Sequence, residues 1–398
     1  MEREIKLASK QDCTGCAVCH DVCPRGCITM NYGSGLHWYP VIDSEKCIKC
    51  GKCEKVCPAL NEISTCVFEQ KFYASWSKVV EERKQGTSGG VGTALARYAL
   101  SQGWYVVGAG FNKEWKLYHK IVSEEYELYN LRGSKYLQSN TEGVFKQIEQ
   151  LVSSGKHVFF IGTPCQVEAV KRVIPANKHD LITTCGIICH GVNSSKVWLD
   201  FVHYLERKHN SGIKTYDFRS KEKGWGENSR GGKKLYVKYE TNSGKTFFKP
   251  AWKNLFHHWF GLHVMMRESC FNCKYRVLQR NSDITIGDFW GLNRVLPALK
   301  NISNGVSVAI VSSPQGEAII ENSGVLNIIP VDSDKTPKVL AGFLNTRDQG
   351  VVNNELIRMR QFEKEYAENG FDTMRYKYPA TTFLKKIIQS VMFHIGIK

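Results

Sequence analysis

The sequence contains no run of about 18 apolar residues, the length a transmembrane helix needs, so no membrane span is expected. Its first residues, Met-Glu-Arg-Glu-Ile-Lys, lack the apolar core of a secretory leader, and no signal peptide is expected. No low-complexity segment interrupts the chain, and nothing repeats beyond one cysteine pattern. No nucleic-acid-binding motif accompanies the scattered Lys and Arg, which argues against a nucleic-acid partner. No Ser/His/Asp arrangement points to nucleophilic catalysis, and no catalytic residue is assigned.

What the chain does have is cysteine, 15 in 398 residues. Without export signals, that number points to metal ligation in a reducing cytoplasm and not to disulfides. Cys13-Thr-Gly-Cys16-Ala-Val-Cys19-His-Asp-Val-Cys23-Pro24 and Cys47-Ile-Lys-Cys50-Gly-Lys-Cys53-Glu-Lys-Val-Cys57-Pro58 both read C-x2-C-x2-C-x3-C-P. This is the bacterial dicluster ferredoxin spacing, in which three close thiolates grip one [4Fe-4S] cube and the fourth reaches the other. The expected sets are Cys13, Cys16, Cys19 and Cys57 for one cluster, and Cys47, Cys50, Cys53 and Cys23 for the second. A zinc ribbon would use four of these eight cysteines and leave the rest without a role. Cys27 and Cys66 fall off the pattern and read as small buried hydrophobes.

A ferredoxin module over residues 1–65 leaves some 330 residues, enough for a large domain with its own core. The net charge is +16 before any cofactor. A [4Fe-4S] core with four thiolates carries roughly −2, so a basic surplus survives loading. It suits an acidic redox partner, an anionic cofactor or a membrane surface.

Beyond a connector over Phe72–Gln85, Gly86-Thr-Ser-Gly-Gly-Val-Gly-Thr93 reads as a Gly-rich turn feeding a helix, a shape that suits a phosphate. Strands are predicted at Trp104–Phe111, Leu117–Val122, His157–Ile161 and Asp180–Cys189, with helices over Glu142–Ser153, from Pro164 to about Val173, and over Ser195–Lys208. Strand, turn, helix, strand makes a βαβ unit and predicts a partly parallel sheet. Asn242-Ser243-Gly244 marks a hairpin between Lys233–Glu240 and Lys245–Lys249. Further strands are expected at Ser282–Gly291, Val306–Val311 and Leu326–Val331, with a helix over Gln315–Asn322. The fold class is therefore a small dicluster module followed by a large α/β domain with a mixed sheet. Thr381–Ile397 has the pattern of an amphipathic helix, suited to its own domain or to a peripheral membrane contact.

Cys165 opens a helix after one strand, where the dipole should lower its pKa, and Cys189 ends the next strand. Cys270 and Cys273 form a two-residue clamp. Spacing alone leaves three readings for these four: a third [4Fe-4S] cluster, a zinc site, or unrelated core cysteines. Cys185, four residues before Cys189, reads as packing.

Ser88-Gly89-Gly90, Leu131-Arg-Gly-Ser-Lys-Tyr136, Gly162-Thr-Pro-Cys-Gln166, Cys189-His-Gly-Val192, and Arg280 with Ser282-Asp-Ile-Thr-Ile-Gly-Asp-Phe-Trp-Gly291 resemble the coenzyme F420 hydrogenase/dehydrogenase beta-subunit family. The resemblance spans residues 70–345 and leaves 346–398 as a helical basic tail. It implies a flavoprotein that binds FAD and usually one [4Fe-4S] cluster, which favours the third-cluster reading. It implies electron transfer between a hydride carrier, coenzyme F420 or NAD(P)H, and one-electron centres, with a redox partner protein or small-molecule acceptor. Candidate FAD contacts are Ser88, Gly89 and Gly90 for phosphate, and Lys135, Tyr136, Gln138 and Ser139 for pyrophosphate or ring. Asp283, Asp288 and His190 are further candidates beside them. Gly186 stands where the family pattern leads one to expect an acidic residue. Two other readings are a reductase acting on an organic substrate, as in surface-polysaccharide assembly, and a non-catalytic electron-transfer subunit.

Overall fold

A computed structural model describes residues 4–64, 68–226 and 235–380. Cys66 and the segment Thr381–Ile397 lie outside the described residues. The N-terminal module is built from α1 (Val18–Asp21), the hairpin of β1 (Ile28–Asn31) and β2 (Tyr39–Ile42), and α2 (Lys52–Val56). Left-handed Ala17 and Gly51 precede α1 and α2 and turn each cysteine loop back on itself.

An eight-stranded mixed sheet forms the body. Its strands are β3 (Lys71–Ser77), β4 (Tyr105–Phe111), β5 (Leu117–Val122), β6 (Val158–Gly162), β7 (Ile182–Ile187), β11 (Ile284–Asp288), β12 (Ser307–Val311) and β13 (Leu326–Pro330). The order is β13-β3-β12-β11-β7-β6-β4-β5, with β4, β6, β7 and β11 mutually parallel and the remaining pairs antiparallel. The βαβ reading of the sequence is present here as β6, α6 (Pro164–Val173) and β7.

The connector expected at Phe72–Gln85 is instead β3 followed by α3 (Val80–Gln85), and β3 lies inside the sheet. Phe72, Tyr73, Ala74 and Ser75 are buried in succession because both sheet faces are covered, so the alternation that advertises a strand is missing. The strand expected from Asp180 to Cys189 starts two residues later and ends at Ile187, leaving Cys189 in the loop beyond.

Period-two alternation sends neighbouring residues to opposite faces. Val107 and Phe160 pack on one face with α5 (Val144–Ser153) and α6, and with Cys16 and Val18 of the module. Val106 and Phe159 pack on the other with α4 (Val91–Ser101). A second core joins α7 (Ser195–His209), α8 (Leu255–Gly261), and the sheet of β8 (Ile213–Ser220), β9 (Tyr236–Thr241) and β10 (Thr246–Pro250). The helix Gln349–Lys377 also buries Phe362, Tyr366 and Met374 in that core.

The module is bonded into the body as well as packed on it. Asp21 accepts from the Gly143 and Phe145 backbone N–H groups (2.7 and 2.9 Å), serving as the missing cap of α5. Thr141 donates to the Cys16 carbonyl (2.7 Å) and Tyr275 to the Pro58 carbonyl (3.0 Å). Arg267, fully buried, donates to Gln138 Oε1 (2.8 Å), the Cys13 carbonyl (2.9 Å) and the Trp38 carbonyl (2.5 Å).

Candidate functional site

The parallel strands β6 and β7 pair Gly162 with Gly186, so their C-terminal ends lie side by side. That edge is where open α/β sheets place ligands. Thr163 caps α6 through a reciprocal box with Gln166, which fixes Cys165 in the first turn. Cys189 follows the end of β7, and Cys270 and Cys273 arrive from the loop after α8. The four thiols lie within electrostatic reach of one another. Burial raises Cys189 to about 12, and the nearby Cys165 and Cys273 oppose its ionisation further. Cys270 is pushed well up by burial and then by Cys273, Cys189 and Cys165. The expected low pKa of Cys165 is overturned: burial lifts it to about 11, outweighing bonds from Thr163 and the helix N–H groups. Four such thiols fit an iron–sulfide core, whose positive iron is the charge that lets them ionise together. Arg280, also buried, donates to the Val277 and Tyr275 carbonyls, and the thiols of Cys189 and Cys273 lie close enough to favour its charge. Cys185 is fully buried in the sheet core beside Ile161 and Ile284, apart from this group.

In the module, burial raises Cys13, Cys16 and Cys19, and Cys57 lies within electrostatic reach of all three and opposes their ionisation. Cys23, Cys47, Cys50 and Cys53 line one hollow. Cys27 lines it too, its Sγ 3.3 Å from that of Cys23. Arg267 lowers the Cys13 thiol against its burial.

The module set and the body set are neighbours. Tyr275 lies within electrostatic reach of both Cys165 and Cys16, which together with Glu168 add to the burial that raises its hydroxyl. Lys274 in turn feels Cys57 and Cys273.

On the other side of Cys189 a cavity of about 510 Å³ opens, within the range of cofactor sites. Leu117, Leu128, Leu131, Ile161 and Phe260 supply apolar wall, and Cys189 and His190 form one side. The start of α4 enters it with no side-chain cap, presenting Val91, Gly92 and Thr93. Gly90 is left-handed (φ 75), and a Cβ there would meet the Glu82 carbonyl at 2.6 Å.

Among the candidate contacts, Ser88, Gly90, Lys135, Tyr136 and Ser139 line the cavity. Gly89 is drawn into the sheet edge, donating to Ser307 Oγ (3.0 Å). Gln138 holds the module through the Thr14 and Gly15 carbonyls (both 3.0 Å). Lys135 donates to the Ala109, Leu131 and Arg132 carbonyls, while burial, with Lys120 nearby, pushes its ammonium down to about 7. Asp288 lines the cavity paired with Arg219 and Trp225 Nε1. Asp283 instead accepts from Thr184 and Ser313 inside the sheet.

Sequence reasoning missed two hydrogen-bonded chains. His119, neutral because burial lowers it to about 4, has Nε2 3.1 Å from the Ile161 carbonyl and Nδ1 2.8 Å from Ser139 Oγ. The carbonyl only accepts, so Nε2 carries the proton and Ser139 donates to Nδ1. Gln166 Nε2 then donates to Ser139 (3.0 Å). His190 Nε2 lies 2.8 Å from His263 Nε2, and His263 Nδ1 lies 3.0 Å from Glu355. Glu355 fixes the proton on His263 Nδ1, so His190 donates to His263 Nε2.

A 4Fe-4S dicluster module thus packs against a body in which four half-buried cysteines lie beside a cofactor-sized cavity. The chain belongs to the coenzyme F420 hydrogenase/dehydrogenase beta-subunit family. The family's C-terminal region matches residues 155–334 and its N-terminal region residues 72–146. 4Fe-4S dicluster domains match residues 12–61 and 39–97. The chain is 28% identical over 207 residues to a coenzyme F420-dependent sulfite reductase of Methanocaldococcus jannaschii, covering 48% of this chain and 29% of that protein. It is 20% identical over 199 residues to a subunit of the F(420)H(2) dehydrogenase of Methanosarcina mazei, covering 47% and 56%. The chain thus matches well under two thirds of either relative's length. A chain of the F420-reducing [NiFe] hydrogenase complex from Methanosarcina barkeri aligns at 18% identity with a TM-score of 0.40, covering 77% of this chain and 93% of that one.

Proposed function

We propose that this protein is an iron–sulfur flavoprotein that exchanges electrons between a hydride carrier, coenzyme F420 or NAD(P)H, and one-electron [4Fe-4S] centres, with FAD in the large cavity. The reading is supported by the neighbourhood of these groups: Cys189 lines the cavity and lies within electrostatic reach of Cys165 and Cys273, and Tyr275 within reach of Cys165 and of Cys16 in the module. A flavin supplies the conversion between a hydride and single electrons, which clusters alone cannot perform.

The chain's own residues do the rest. The start of α4 and the Ser88–Gly90 turn offer backbone N–H groups to phosphate, and Lys135 adds charge. His119, Ser139 and Gln166 form a neutral polar wall that holds the cavity side of β5 and β6. His190 Nε2–H faces His263, giving a route for a proton between the cavity and Glu355. The third cysteine set is half-buried beside the cavity, and Arg280 offsets part of its charge. The acceptor is a redox partner protein or a small molecule reached through the module, whose Cys50 is exposed.

The test is a donor screen on anaerobically reconstituted protein with reduced F420, NADH and NADPH and a dye acceptor. Turnover with one donor and extractable FAD is the expected result. Failure of all three with FAD present would move the reading to an organic substrate. Absence of flavin after reconstitution would leave an electron-transfer subunit.

A further inference from the structure

The two cysteine motifs share their spacing but differ four positions past the last cysteine, where Asn61 follows Cys57 and Cys27 follows Cys23. Asn61 serves the backbone, its Nδ2 donating to the Glu54 and Cys57 carbonyls (2.8 and 2.9 Å). Cys27 instead sets a fifth thiol beside four. It is buried, it lines the same hollow as Cys23, Cys47, Cys50 and Cys53, and its Sγ lies 3.3 Å from that of Cys23. The backbone holds it there. Gly26 is left-handed (φ 56), and its N–H donates to the Cys23 carbonyl (3.1 Å), which closes the turn. The Asp43 N–H donates to the Cys27 carbonyl (2.8 Å), which fixes the entry to β1. Asn61 at the matching position shows that the motif itself requires no thiol in that place.

A [4Fe-4S] core has four corners, and the ferredoxin spacing commits the other four of these five cysteines. Cys27 is the surplus one, so it remains a thiol, a donor, next to a ligand sulfur that accepts. Hydrogen bonds to the sulfurs of such a core tune its potential. Each stabilises negative charge, and reduction adds one more. We infer that the Cys27 thiol donates a hydrogen bond to Cys23 Sγ and thereby raises the reduction potential of the second module cluster. The set of Cys13, Cys16, Cys19 and Cys57 has Asn61 in that place, so the two halves of the module are made unequal. Cys16 packs with the body, whereas Cys50 of the second set is exposed, so the inequality draws an electron outward. That direction rests on the proposed function; the hydrogen bond and its effect on potential do not.

The experiment is an anaerobic redox titration of the full-length, reconstituted protein with dithionite and mediator dyes, followed by electron paramagnetic resonance. Neither flavin nor hydride donor takes part, so a failure of the proposed function is distinguishable from a failure here. In Cys27→Ala one module cluster should become about tenfold harder to reduce, a midpoint about 59 mV lower. The other module cluster should keep its midpoint, and the iron content should not change. Cys27→Ser keeps an O–H donor and should recover most of the shift. Parent-like midpoints in Cys27→Ala would overturn the inference. So would a midpoint in Cys27→Ser as low as in Cys27→Ala, which would leave Cys27 a packing residue. Loss of about four iron from Cys27→Ala, with full iron in Cys23→Ala, would also overturn it by making Cys27 the ligand.

Discussion

Replacing Arg267 with Met removes one of the side chains that fasten the module to the body, and its cost depends on cluster loading. The guanidinium is fully buried and donates to three acceptors, Gln138 Oε1 and the carbonyls of Cys13 and Trp38. It also lies over the Tyr39 ring, 4.6 Å from the centroid. Charge-assisted bonds are worth about 1.5–3 kcal/mol each, and buried acceptors left bare cost about 1–3 kcal/mol each. Against this, Arg267 has no salt bridge to a carboxylate among the described residues, so its removal recovers desolvation energy. Its counter-charge is the thiolate of Cys13, which it stabilises. Arg267→Met should therefore destabilise the loaded protein by about 3–5 kcal/mol. In cluster-free protein the penalty should be smaller by roughly 1–2 kcal/mol, since the unpaired cation is then itself costly. The assay is anaerobic urea titration followed by near-UV circular dichroism, with iron released at each step. Equal midpoints for variant and parent in the loaded state, or a larger loss in the cluster-free state, would refute the reasoning.

Three further outcomes follow from the geometry. Gly90→Ala forces a left-handed alanine against the Glu82 carbonyl, and should cost about 1–3 kcal/mol and weaken flavin retention, read by thermal melting and flavin extraction. Lys135 is cationic below its pKa of about 7 and neutral above it, so affinity for a phosphate-bearing ligand should fall as pH rises through that value. Lys135→Met should flatten the profile in fluorescence titrations. Cys185→Ala should leave about 12 iron per chain, whereas Cys273→Ala should bring the content towards about 8, measured by colorimetric iron assay.

The module was legible as a dicluster domain because its cysteines are local, eight of them within 45 residues. The third set was expected from strand ends meeting at one sheet edge; β6 and β7 do end side by side, but Cys189 lies in the loop beyond β7. What failed had physical causes. β3 was concealed because burial on both faces removes alternation. Cys165 was expected to be acidic from its helix position, but desolvation is the larger effect at a buried thiol. Gly89 and Gln138 sit in motifs whose other members face the cavity, and only tertiary packing shows that they face elsewhere. Arg267 and His263 carried no signal, since their partners lie far along the chain, Cys13 being 254 residues from Arg267.

The central claim is that electrons cross between the cavity and the module through the set of Cys165, Cys189, Cys270 and Cys273. Rapid anaerobic mixing of flavin-loaded protein with its hydride donor tests it, following flavin and iron–sulfur absorbance separately. In the parent both should bleach. In Cys189→Ala, with the module's clusters intact by electron paramagnetic resonance, the flavin should bleach while the module stays oxidised. Reduction of the module at the parent's rate in that variant would contradict the account.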